Sequence, residues 1–525
     1  MLIWLLESRF VFMERKSIVS ILIFLPAFGA CVFWGLTINQ PLIDQHAFRQ
    51  TQTALSALFM QPGLDGFFNY QTPAIGSPWS VPFEVPLFQW LVHGLAQFFS
   101  INLSTCGRLL SIVFGIGCLW PALTLLRCFD VKKPGQACFF ILYFSSAIYL
   151  YWNRAFMIES TALFFSLWSL YLYALFRIKQ APRSPVWGGR PLLIAAFGLS
   201  LSLGLLVKAT TGLPILLLIS IDLIWQLFTS LRNGRSSLQI TFLRLLPIAI
   251  AMLAALLLLR TWTLHADALK DLNPIGANLT SAALNHWNFG TVNQRFSSDL
   301  WFGVLIARML TPIGAIPAVI LLLFALMRAQ GSQRRTLIGA CIFLTLVPLL
   351  IFSNLHIVHT YYQSANQVFL LLAISAAFDS FVQAWLPRWQ QGAAIAAITL
   401  FTLGSYQHFN LNYLNSSLGE WSYRLDVAKL IKQNTPDDAG ILVFDDGYSS
   451  EFAFHSHRRA LALPDWPTGI DQVTILNQPS RFLDGSRLGA VIAQKPIADP
   501  EALAQNCSSK EPQIVGEWKV YLCKS

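Results

Sequence analysis

The stretch PLIDQHAFRQTQTALSALF, beginning at Pro41, sets an acid, Asp44, beside His46 and Arg49 at the edge of a long apolar run. A second acid, Glu159, opens another apolar run just after Arg154, and Lys208 interrupts a third. Between them, NYQTPAIGSPWSVPFEVPLFQW carries Glu84 among prolines and aromatics. HIVHTYYQ adds His356, His359, Tyr361 and Tyr362, and residues 261–301 add His265, His286, Trp287 and Arg295. A carboxylate can take the proton of an attacking hydroxyl. Cations can hold a phosphate and stabilise its growing charge as it leaves. Phosphate leaves readily, so one base suffices, unlike the two carboxylates of glycoside hydrolysis.

Each residue also has a plainer reading. Asp44 is a favoured type for capping a helix over 45–59, whose apolar face would be Phe48, Leu55, Leu58 and Phe59. Gln45, Arg49, Gln52 and Ser56 would face the other way, as on an interfacial helix. Glu159 could pair with Arg154 and only fix a turn, and Lys208 could snorkel to headgroups. Glu84 could be a solvated loop acid. His356 and His359 could bind a metal with an acid or simply sit at the interface, and the divalent cation is left open. Tyr361 and Tyr362 read as an aromatic belt or as a substrate platform.

The elements that must position these groups are membrane spans. The chain has 525 residues, 55% hydrophobic and 12% charged, with mean hydropathy +0.54. A soluble chain carries roughly 25% charge. Apolar runs at 18–38, 109–126, 137–152, 158–176, 191–207, 212–230, 243–260, 302–327, 336–353, 366–386 and 391–408 predict eleven spans. Nucleic acid does not explain the net charge of +10, because the cations fall in short loops between spans. With the N-terminus inside, beside Arg9, Arg15 and Lys16, the inside loops hold Arg127, Lys132, Lys133, Arg177, Lys179, Arg183, Arg190, Arg232, Arg235, Arg328, Arg334, Arg335 and Arg388. That is the cytoplasmic signature of a plasma (inner) membrane protein. It holds only if 85–99 lies along the membrane, as an interfacial helix. The acids and cations above then share the outer mouth, together with the segment 409–525.

That segment reads as a small α/β domain beyond a transmembrane domain spanning 1–408. RLDVAKLIKQ is predicted helical, and GILVFDDG, LGAVIAQK and EWKVYLCKS as strands. Asp445 and Asp446 end the first strand in a turn. Cys507 and Cys523 could form a disulfide outside the cytoplasm.

Several features come in a familiar order: a first span, an acid on a short helix, a Pro-rich interfacial segment, an R-L-L-S span, and a second acid opening the fourth span. The chain resembles the GT-C superfamily of polyprenyl-phosphate-sugar-dependent glycosyltransferases over about 18–408. Within it, the likeness is to the family-39 branch of protein O-mannosyltransferases and lipid A aminoarabinose transferases. The resemblance implies a polytopic helical fold, a polyprenyl-phosphate sugar donor, and a lipid or glycan acceptor at the outer (periplasmic) face. It implies Asp44 as base, with Glu159 as the second acid. Phe83, Glu84, Pro86 and Leu87 match an F-E-K-P-P-L type motif, in which Val85 replaces the lysine used on the lipid phosphate. Gln45 replaces a second acid. Arg49, Lys208 or His359 would then supply the missing cation. The rival class is a flippase of lipid-linked sugars, which needs polar groups deep in several spans. Few are visible.

Overall fold

The computed structural model describes residues 16–178, 191–328, 332–384, 387–419, 421–507 and 511–523. Arg9, Arg15, Lys179, Arg183 and Arg190, which carry part of the charge argument, lie outside them. Over the described residues each predicted span coincides with helix; the end of the span 366–386 lies outside them. By length and apolarity, six helices among the described residues suffice to cross a bilayer, or seven if the bent pair over 299–324 is one span. Ile23–Thr37 and Pro191–Val207 are apolar but shorter. Eleven helical runs are therefore present, while hydropathy and length support fewer as full spans. The predicted run 137–152 is split where Ser146 leaves helical geometry, between Lys133–Ser145 and Ala147–Trp152.

Seven helices position the groups of interest: α1 (Ala47–Leu58), α2 (Leu87–Phe99), α3 (Leu103–Gly117), α4 (Glu159–Ile178), α5 (Pro191–Val207), α6 (Ala209–Arg232) and α7 (Arg235–Asp271). α3 starts cleanly because the Asn102 side chain accepts from the Ser104 N–H. α4 packs on α5, and α5 on α7. Small residues allow close approach. A Cβ on Gly107 of α3 would lie 2.1 Å from the Phe156 ring, and one on Gly115 would lie 2.6 Å from the Asn153 side chain. The turn carrying Arg154 is thereby seated directly on α3.

Helix α1 corrects its predicted form. It begins at Ala47, and its N-cap is His46, in left-handed geometry at φ 54° without a side-chain cap bond. Asp44 is not the cap. Nor is α1 a two-faced interfacial helix, since Gln50, Thr51, Gln52 and Thr53 are buried along with Ala54 and Leu55. Protein covers it on both sides: α2 and α3 on one, the C-terminal segment on the other. Its polar residues therefore face polar partners instead of lipid headgroups.

The C-terminal segment forms a five-stranded sheet in the order β2-β1-β3-β5-β4. The strands are β1 (Gly440–Val443), β2 (Arg459–Ala462), β3 (Leu488–Ala493), β4 (Gln513–Val515) and β5 (Trp518–Leu522). β1 pairs in parallel with β2 and β3, and β5 runs antiparallel to β3. β1 and β3 are near-continuous apolar runs because both faces are covered, while β4 at the sheet edge is largely exposed. β2 and β4 escaped the sequence reading, being short and weakly patterned. The outer edge of β2 is taken by the first loop: Ile75 bridges Leu461, and Ala460 and Ala462 donate to Pro73 and Ala74. This covers an edge that would otherwise be open to other chains. Leu42, Leu55, Ile75 and Phe88 consequently share one apolar core with the sheet. Cys507 and Cys523 are joined by a disulfide.

Candidate active site

A cavity of about 740 Å³ opens between α1, the break between α5 and α6, the end of α7 and the C-terminal segment. Arg49, Glu84, Lys208, His359, Tyr361 and Tyr362 line it, so six of the predicted residues meet.

Lys208 sits at the break itself. Its backbone is extended, at φ −159° and ψ 99°, between two apolar helices. Its ammonium pairs with the Glu159 carboxylate, and both side chains are buried. The same ammonium lies 4.0 Å from the Tyr362 ring centre and 4.9 Å from that of Tyr361. Glu159 therefore pairs with Lys208, and the Arg154 partnership suggested by sequence proximity does not form. Arg154 turns the other way.

Arg49, one turn into α1, contacts the Glu84 carboxylate at 3.3 Å and the Gln52 amide oxygen. Gln89 donates to the other Glu84 oxygen at 3.1 Å. Glu84 is thus a held group, not a solvated one. The next residue, Val85, donates its N–H to Leu206 and packs its side chain with Met60, Tyr70 and Trp262. The position where the resembled family has lysine is apolar here because it faces an apolar cluster.

His46 bonds through Nε2 to the Thr360 hydroxyl at 3.1 Å, with its ring edge-on to Tyr361 and 5.5 Å from His359. His359 stacks on Tyr361 at 5.1 Å. Burial, then the proximity of His46, Lys208 and Arg49, pushes His359 down to about 3. Burial likewise lowers His46. Both rings are neutral near pH 7, so His359 offers a hydrogen bond and no charge. His356 is buried beneath, its Nδ1 against Gln363. Among the described residues no three His, Cys, Asp or Glu side chains gather as metal ligands.

Asp44 and Arg154 do not line the cavity. Asp44 is caged: Oδ2 accepts from Arg154 at 2.8 Å and faces Arg108 at 3.5 Å, and Oδ1 accepts from Gln50 at 2.5 Å. Burial pushes its carboxyl up, against the pull of the Arg108 guanidinium and the Gln50 amide. The Nε atoms of both arginines, and one further Arg154 nitrogen, are buried without a partner.

Sequence reading missed Arg108, the R of R-L-L-S, because an arginine at the head of an apolar run reads as a flank. It also missed Lys270, at the last turn of α7. Lys270 lines the cavity, pairs with Asp267 at 3.3 Å and lies 5.2 Å from the Phe83 ring centre. The i,i+3 acid–lysine pair was the available signal.

Residues 76–269 match the family model described as dolichyl-phosphate-mannose-protein mannosyltransferase. No curated protein matches the chain in sequence. Among solved structures, the chain is similar to ArnT from Cupriavidus metallidurans in the apo state, at TM-score 0.64 and 14% identity, covering 97% of this chain and 98% of that one. ArnT bound to undecaprenyl phosphate superposes at TM-score 0.62 and 14% identity, covering 95% and 97%. The oligosaccharyltransferase AglB from Archaeoglobus fulgidus, in complex with an inhibitory peptide and a dolichol-phosphate, gives TM-score 0.55 at 13% identity, over 90% of this chain and 69% of that one.

Proposed function

We propose that this chain, whose fold is that of the GT-C membrane glycosyltransferases, moves a sugar from a polyprenyl-phosphate donor to a cell-envelope lipid or glycan at the outer face of the inner membrane. The observation that carries the reading is the cavity at one end of the apolar helices, where Arg49, Lys208 and Lys270 stand beside carboxylates and aromatic rings. Three cations at such a mouth suit a lipid phosphate, whose oxygens take charge-assisted bonds. Lys270 and Arg49 flank Phe83, so between them they occupy the neighbourhood left apolar by Val85. The solved structures in complex with undecaprenyl phosphate and dolichol-phosphate support this class of donor. Residues 1–408 would then form the catalytic domain and 409–525 an extracytoplasmic one. A flippase gains no support from the cavity, whose cations, carboxylates and rings meet at one mouth.

The base is assigned to Asp44, on its motif and its raised proton affinity, with Glu159 fixing Lys208. To act, Asp44 must release Arg154 as the acceptor enters, since catalytic contacts often complete only with substrate bound. One observation favours a second reading: Glu84, unlike Asp44, already lines the cavity, where the other carboxylate, Asp267, pairs with Lys270. Turnover of undecaprenyl-phosphate-linked sugars by purified Asp44→Asn and Glu84→Gln, measured well below their melting transitions, separates the two. Loss in Asp44→Asn with activity retained in Glu84→Gln supports Asp44. The reverse moves the role to Glu84. Donor consumption by neither the wild type nor either variant would sink the transferase reading.

A further inference from the structure

Two aromatic side chains of the C-terminal segment reach the cavity, and no feature of the transfer chemistry accounts for them. Tyr448 follows β1 and Trp466 follows β2, both in loops leaving the carboxyl ends of adjacent parallel strands. In open α/β sheets that end is where ligands bind. Their rings meet at 5.0 Å, edge to face, and Tyr448 meets Phe48 of α1 at 6.0 Å. Trp466 Nε1 is buried without a hydrogen-bond partner. A buried indole N–H ordinarily finds an acceptor; the indoles of Trp79, Trp152 and Trp168 are also without one, and of the four only Trp466 lines the cavity, where an oxygen can reach it. The same cavity is also lined by Trp287, Asn278, Asn288 and Gln52.

The placement is fixed, not incidental. Ser450, two residues after Tyr448, donates to the Phe48 carbonyl at 3.0 Å and bonds the Thr51 hydroxyl at 3.0 Å. The aromatic pair is therefore tied to the turn of α1 that bears Arg49. Aromatic faces for C–H surfaces, with amides and an indole N–H for hydroxyls, make up a carbohydrate-binding lining.

We infer that Tyr448 and Trp466 form a sugar-binding wall, supplied by the C-terminal segment, that holds the ring of a glycosyl unit beside the phosphate-binding cations. This rests on the transferase reading for its neighbour but not for its own chemistry. The ring could belong to the donor or to the acceptor.

The test uses the full chain in detergent, as wild type, Tyr448→Ala/Trp466→Ala and Trp466→Phe. The probes are undecaprenyl phosphate alone, followed by thermal shift, and methyl hexosides and pentosides, followed by saturation-transfer NMR. The expected result is equal stabilisation of all three proteins by undecaprenyl phosphate. Glycoside saturation should fall about tenfold in the double variant, the loss of about one good contact, and fall less in Trp466→Phe, which keeps a ring. Competition of the glycoside by an undecaprenyl-phosphate hexose assigns the wall to the donor sugar, and additive binding assigns it to the acceptor. Equal saturation in wild type and double variant, or none with any glycoside in wild type, overturns the wall. Failure of undecaprenyl phosphate to bind any of the proteins overturns the donor reading and leaves the glycoside comparison intact.

Discussion

Lys208 interrupts two apolar helices and delivers its ammonium to Glu159, the first residue of a third helix 49 positions earlier. The pair fastens α4 to the α5–α6 break beneath the cavity. Both partners are buried, so removing one leaves an unpaired charge in a low-dielectric setting. Lys208→Met or Glu159→Gln alone should cost about 3–5 kcal/mol. The double variant should recover much of that loss. A double-mutant cycle by denaturation in detergent measures the coupling, and additive losses would show that the two charges are not paired.

The Asp44 cage holds two guanidiniums against one carboxylate. Asp44→Asn should therefore lower stability by about 3 kcal/mol, leaving Arg108 and Arg154 without a counter-charge. Adding Arg154→Met to it should restore part of the loss. An unchanged melting temperature in Asp44→Asn would show that the cage is not closed in solution.

Lys270→Met and Arg49→Met should each weaken undecaprenyl phosphate binding about 10- to 100-fold, the range for losing a charged hydrogen bond. Val85→Lys should not strengthen it. A lysine there would enter the cluster of Met60, Tyr70 and Trp262, lowering stability without gaining a phosphate contact. Titration by microscale thermophoresis reads both effects, and tighter binding by Val85→Lys would reverse the assignment.

His359 is pushed down to about 3, far below the ordinary value of 6.5. Below the unfolded value the unfolded chain binds the proton and the folded one does not. Stability is then lost as pH falls from about 6.5 towards 3, at up to about 1.4 kcal/mol per pH unit for one such residue. Melting temperatures of wild type and His359→Asn between pH 7 and 4.5 should diverge, with wild type falling faster. Parallel curves would place His359 in a wetter setting.

The membrane character, six of the residues that meet in the cavity, and three of the five strands were legible because periodicity and hydropathy are local properties. The partnerships were not. Arg154 was nearest to Glu159 in sequence, yet it pairs with Asp44, because Gly107 and Gly115 let the turn 153–158 sit on α3 beside Arg108. The burial of α1 was equally hidden. Its polar residues look solvent-facing until the C-terminal segment is known to cover them, as Ser450 does at Thr51. Tyr448 and Trp466 carried no signal, since a loop aromatic gives no hint of which distant cavity it closes.

The strip 71–76 that covers the edge of β2 has a consequence for how the molecule is made. Gln71 and its partner Arg459 lie 388 positions apart. During synthesis the strip must wait for its partner edge until β2 has been made. β2 therefore completes a surface begun by the first loop. A nascent chain halted before β2 would hold the cations, the carboxylates and Tyr448 but lack Trp466. The lining of the cavity is thus complete only once Trp466, the latest of its residues along the chain, has been made.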